Sequence, residues 1–157
     1  MASELDAAIA PWGTPGQVFD RLEGRWALSR SIEGKDPIRM QGVARFTRAG
    51  PRQLLYREEG SVTLADGRSL QAHREYIFER TADGFEVHFR EEPPRLFHRI
   101  RLARLADALA GAAPHLCAPD HYDSSYRFLA DGRFEIRHAV QGPRKDYLSC
   151  TGFSRLG

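Results

Sequence analysis

Cysteine is scarce in this chain. Cys117 and Cys150 are too few for a disulfide scaffold, and no CxxC pair exists to hold zinc or run thiol exchange. Two free thiols in a reducing compartment are the expected state. Charge of one sign is lacking too. Lysine plus arginine (23) nearly balances aspartate plus glutamate (21), the formal net charge is +2, and the signs are interspersed. A nucleic-acid-binding face would want a basic stripe, so nucleic acid is not an expected partner. Long apolar runs are missing, and even the stretch between Leu105 and His115 is broken by Asp107. Nothing approaches a membrane span, and no membrane partner is expected. The opening MASELDAAIAPWG carries acids where a secretory leader carries a positive region, so the expectation is a cytoplasmic protein. Also absent are a phosphate-cradling glycine loop, a nucleotide fingerprint, a Ser/His/Asp arrangement, internal repeats and low-complexity segments.

What the chain has in abundance is alternation. In the stretch 22–32, LEGRWALSRSI, strand geometry sends Leu22, Gly24, Trp26, Leu28 and Ile32 to one face, with Arg30 as its only polar member. Further alternating runs stand at 38–48, 53–64, 70–78, 85–90, 96–102, 122–129, 134–141 and 145–155. Turn signals separate them, including Ala65-Asp66-Gly67, Asp83-Gly84, Pro93-Pro94, Asp131-Gly132 and Gly142-Pro143. The expectation is all-β: a single antiparallel up-and-down barrel of about nine strands, forming one domain over residues 1–157. Thr14 fits a helix N-cap with Pro15 at N1, and Val18, Phe19 and Leu22 share a face of a short helix that would plug one barrel end. Residues 1–13 read as a loose lead-in. At 104–113 the period turns helical, with Leu105, Leu109 and several alanines, so a short helix or lid is expected there.

A glycine two residues ahead of a tryptophan on the first strand, after a short helical turn, resembles the calycin superfamily of lipocalins and fatty-acid-binding proteins. In that superfamily an arginine near the end of the last strand packs across the tryptophan and closes the barrel. The resemblance implies this role for Arg155 against Trp26. The chain also resembles a family of uncharacterised bacterial barrel domains in which LEGxW, HLCxxDxY, GPxKDY and a terminal TxFxR recur. All four stand here, at 22–26, 115–122, 142–147 and 151–155. That family carries no established activity, so it marks a site without assigning a reaction.

Polar residues sit in register with large apolar ones on the inward faces: Arg30, Tyr56, Glu58, Arg74, Tyr76, Tyr122, Tyr126, His138, Lys145, Tyr147 and Ser149. Barrels of this size enclose one small ligand, and polar groups facing that space orient it. A register slip of one residue would turn every one of them to solvent instead, and Glu58 with Arg74 reads equally as a cross-strand ion pair. The ligand-binding candidates are these tyrosines, Glu58, Arg74, His138 and Lys145, joined by His98 and by His115, Cys117 and Asp120 from the second motif. Asp120 and Asp146 alternatively cap backbone donors. His98, His115, Cys117 and His121 match no standard zinc spacing, and a haem held by His98, His115 or His138 would rest on a single histidine. No metal or other cofactor is required.

These readings lead to a cytosolic binding protein for a polar or anionic small molecule, held by Arg74, Lys145 and Tyr147 between aromatic walls of Trp26, Tyr76, Phe78 and Phe128. Two other classes stand beside it. One is an isomerase, lyase or hydrolase using Tyr122, His115 and Asp120 as acid and base. The other is a non-catalytic protein-interaction barrel, and the oligomeric state, a homodimer included, is left open. The expected geometry is specific: 115–122 and 142–147 should meet at the mouth of one cavity.

Overall fold

The computed structural model describes residues 7–157. Thr14 opens the plug, its amide donating to the Gln17 side chain at 2.9 Å. A 3-10 turn, Pro15–Gln17, runs into the short helix α1, Val18–Arg21, which buries Val18 and Phe19. Eleven strands follow: β1 Gly24–Glu33, β2 Ile38–Gly50, β3 Gln53–Thr63, β4 Ser69–Thr81, β5 Gly84–Phe89, β6 Arg95–Arg101, β7 Ala103–Leu105, β8 Ala108–Cys117, β9 Asp120–Leu129, β10 Phe134–Gln141 and β11 Asp146–Arg155.

They form one antiparallel sheet in the order β6-β5-β4-β3-β2-β1-β11-β10-β9-β8-β7, with the first strand pairing the last. The sheet curls into a nearly closed barrel. β6 and β8 pack side by side without sharing a ladder. Gly111 makes this seam close: a Cβ there would lie 2.5 Å from the Arg101 carbonyl oxygen and 2.8 Å from the Ile100 side chain.

The strand count exceeds nine chiefly because 103–117 is a hairpin and not a helix. Leu105 and Leu109 are four apart, as on one helix face, yet Leu105 is 66% exposed and Leu109 fully buried. A tight turn lies between them, with Ala106 at φ 57°. The alanines favour a helix intrinsically, but small side chains also suit a crowded seam, and tertiary packing overrides the propensity.

The lead-in also differs from expectation. Residues 1–6 lie outside the described residues, but Ile9 and Trp12 are buried, and Ile9 and Gly13 exchange backbone hydrogen bonds. Trp12 stacks on Trp26, with centroids 5.7 Å apart and planes 9° apart, and both meet Phe134 edge-on. Below the pair, Arg155 opposes Trp26 in register and holds its guanidinium 4.2 Å from the indole. That guanidinium also donates to the carbonyls of Glu23 and Arg21. Gly24 sits at φ 127°, where a side chain would be strained and its Cβ would meet Arg155 Nη1 at 3.1 Å. The Gly-x-Trp spacing therefore serves the arginine that closes this end.

The barrel has a dry end and a polar end. Phe19, Phe46, Phe85, Phe128, Phe134 and Phe153 fill the space above the plug. Toward the other end Glu58, His98, Ser124, Ser149 and Thr151 are buried.

Candidate functional site

A charged floor divides the two ends. Arg30 on β1 reaches past β2, whose inward residues there are Met40, Gly42 and Ala44, and grips Glu58 on β3 with two bonds of 2.6 and 2.8 Å. Its Nε donates to Thr151 Oγ1 at 2.7 Å, and Tyr56 Oη donates to the other side of the pair, Glu58 Oε1, at 2.7 Å. Burial pushes the Glu58 carboxyl up, but the Arg30 and Tyr56 bonds outweigh it and leave the group below the usual carboxylate range. Burial pushes the Tyr56 phenol well up, reinforced by the neighbouring carboxylate. Arg74 is the cross-strand partner of Glu58, yet among the described residues it forms no salt bridge. Its guanidinium stands 6.0 Å from the Tyr76 ring, bonds that side chain, and helps hold the Glu58 carboxyl down.

Above this floor a cavity of about 400 Å³ opens at the end opposite the plug. Arg30, Arg74, Tyr76, Phe97 and His138 line its base, and Phe89, Arg95, His115, Cys117, Tyr122, Tyr147 and Ser149 its sides. A void of about 20 Å³ beneath it, bounded by Tyr56, Glu58 and Tyr126, has room for one water-sized group. Arg95 is spoken for: it bonds Glu91 at 3.0 and 3.2 Å, lies 4.3 Å over Phe89 and touches the Cys117 thiol. Glu75 borders the cavity but is engaged by Arg57 and Arg90. Among the described residues Arg74 is thus the arginine of the lining that forms no salt bridge, its nearest acid, Glu58, being bonded to Arg30.

Three histidines cluster here, and each is held neutral. His98 is buried under the cavity with Nε2 2.9 Å from Tyr126 Oη, and its Nδ1 has no partner among the described residues. Burial, reinforced by His138 and His115, lowers its pKa to about 3. His138 faces the cavity with Nδ1 2.7 Å from Ser124 Oγ. Burial and then the nearby Arg74 and Arg30 lower it to about 4. His115 is lowered by desolvation and by Arg95, and its buried Nε2 has no partner among the described residues. The phenols of Tyr76, Tyr126 and Tyr147 are shifted up by burial. At neutral pH the cavity presents neutral rings and hydroxyls above a floor in which Arg30 and Arg74 share one carboxylate, Glu58.

The segments 115–122 and 142–147 do come together. Lys145 Nζ lies 3.2 Å from Asp120 and 3.4 Å from Tyr122 Oη, and Gly142 packs against the Asp120 side chain. Tyr122 and Tyr147 turn from these segments into the cavity, whereas Asp120 and Lys145 pair at the rim outside its lining. Lys145, with 45% of its side chain exposed, does not point inward. The aromatic walls are also different from those expected. Trp26 and Phe128 belong to the dry end and Phe78 borders only the small void. The cavity wall is Tyr76 with Phe89 and Phe97. Alternation could have found Phe89, which follows Phe85 and Val87. It could not find Phe97, because the β5–β6 register shifts between Val87 and His88 and buries both Phe97 and His98.

Donor atoms of Glu79, Glu86 and His88 lie within 4.8 Å of one another on β4 and β5, away from the cavity. Glu86 is already bonded to Arg99 and His88, so this reads as an ion-pair cluster. None of the histidines or the cysteine considered for a metal belongs to it, apart from the chemistry they share.

No helix among the described residues is long and apolar enough to cross a membrane. No curated relative matches the chain. Among solved structures it is similar to the designed protein EF1p2_mFAP2b bound to DFHBI, at 12% identity and TM-score 0.45, covering 91% of this chain and 100% of that one. It is also similar to the redesigned β-barrel mFAP1 bound to DFHBI, at 13% and 0.40, covering 87% and 96%. A third is the S-type phycobiliprotein lyase CPES from Guillardia theta, at 12% and 0.44, covering 88% and 90%. The family model described as a family of unknown function, DUF6314, matches residues 22–155, from the strand that carries Trp26 to the arginine that closes on it, and the chain belongs to that family.

Proposed function

We propose that the protein is a cytosolic binding protein for an anionic small molecule, held in the cavity at the polar end of the barrel. The observation that carries this reading is Arg74, a cation at the base of a cavity of about 400 Å³ that forms no salt bridge among the described residues and shares the charge of Glu58 with Arg30. Both Glu58 oxygens are bonded by Arg30, so one carboxylate stands against two guanidiniums and the floor keeps a net positive charge toward the cavity. An anion there extends an alternating row, arginine–glutamate–arginine–anion, and a charge-assisted bond of this kind is among the stronger ones. Tyr76, Tyr122, Tyr147 and Ser149 supply further donors and acceptors around it. The two free cysteines accord with a reducing compartment. Catalysis by Tyr122, His115 and Asp120 finds less support, because Asp120 is tied to Lys145 outside the cavity lining.

Native mass spectrometry of protein purified from its own host tests the reading. The expected result is a retained small anion on the wild-type chain that is lost from Arg74→Ala, while the thermal midpoint of the variant stays within a few degrees. Retention by Arg74→Ala would place the ligand elsewhere.

A further inference from the structure

The rings around the cavity narrow the ligand class, an inference that rests on the anion-binding reading above. Phe97 lies 22° from the plane of Phe89 at 4.6 Å, 22° from His138 at 5.7 Å and 30° from Tyr76 at 6.0 Å. All four rings border the cavity, with Phe97 at the centre close to the plane of each of the others and Tyr76 tilted 51° to Phe89. Tyr122 and His115 meet Phe97 edge-on, at 80° and 81°, and frame the row from the side. A wall of ring faces gathered on Phe97 and framed by ring edges favours another flat ring, which can join it in an offset or edge-to-face contact. A saturated chain gains no such geometry, and it also needs length. The charged floor gives it no room to extend toward the dry end, because only the void of about 20 Å³ lies below. Arg74 lies over Tyr76, so the cation stands at the end of the same row.

We propose that the ligand is a planar aromatic acid, its ring set in the row of Phe89, Phe97, His138 and Tyr76 and its carboxylate on Arg74. The acid group and the ring are both needed: the charge recruits, and the wall selects for flatness.

Isothermal titration of the full chain with 2-naphthoate, octanoate and 2-naphthalenemethanol separates the two requirements. The expected result is that 2-naphthoate binds at least about tenfold more tightly than either of the others, and that Arg74→Ala removes its advantage over the alcohol, as loss of a charge-assisted bond predicts. Octanoate binding as tightly as 2-naphthoate overturns the planar assignment and leaves the anion reading standing. The alcohol binding as tightly as the acid overturns both. Failure of all three probes to bind overturns the planar assignment. Phe97→Leu should weaken 2-naphthoate more than octanoate; should this buried substitution fail to fold, the wild-type comparison still decides.

Discussion

Arg30 and Glu58 bring opposite charges into a space from which water is largely excluded, with side chains 10% and 2% accessible. Their geometry satisfies the pair almost completely, so the consequence of breaking it is larger than the benefit of having it. Removing one partner strands a buried charge and costs about 3–5 kcal/mol, whereas replacing both by apolar groups of similar volume is often neutral. Arg30→Met and Glu58→Gln should therefore each lower the unfolding free energy by about that amount. Arg30→Met combined with Glu58→Met should recover most of the loss. Urea denaturation of the three variants checks this, and single variants within 1 kcal/mol of wild type would mean that the floor is wetter than its burial indicates. The same pair shows what a single chain could and could not disclose. That Arg30 and Glu58 point inward followed from period-2 alternation. That they meet each other, with Arg74 left over, did not, because partners two strands apart depend on barrel curvature and on small residues between them.

Among the elements, the β6–β8 seam is where the barrel is joined by packing alone. Gly111 sets how near the two strands come, and any side chain there must displace the β6 backbone at Arg101. Gly111→Val should destabilise the fold by roughly 1–3 kcal/mol through overpacking. It should also speed amide hydrogen exchange in β6 and β8 more than in β1, β2 and β11, which lie away from the seam. Uniform acceleration across all strands would show that the seam opens only with global unfolding. Most strands were legible from alternation and turn residues, since each hairpin signal at 65–67, 83–84 and 131–132 joins two observed strands. The hairpin of β7 and β8 was not, because alanine-rich segments spaced like a helix carry no period of two. The bulge on β6 was likewise hidden, as one extra residue shifts a face without changing composition.

At the scale of the whole molecule, the buried histidines make the barrel acid-sensitive. His98 and His138 have folded-state pKa values of about 3 and about 4, well below the ordinary value of 6.5, and His115 is shifted the same way. Because the folded pKa values are depressed, the folded state stays neutral while the unfolded chain takes up protons. The stability is then fully present above about pH 6.5 and is lost as pH falls through 6.5 toward 4 and 3. Glu58, also depressed, adds a loss of the same sign below the ordinary carboxylate range. Urea midpoints should fall steadily from pH 7 to pH 4, and His98→Gln should flatten the upper part of that decline. A midpoint independent of pH between 7 and 5 would show that these imidazoles take up protons in the folded protein as readily as in the unfolded chain.

Both tryptophans of the chain, Trp12 and Trp26, stand in one stack at the plug. Optically the protein is therefore labelled at one end only. Excitation of the indoles reports whether the segment around Trp12 is docked on the barrel, and an emission shift to the red signals its release. The cavity, ringed by tyrosines and phenylalanines, lies outside that signal. A silent tryptophan spectrum on adding a ligand is what occupancy of the cavity would look like.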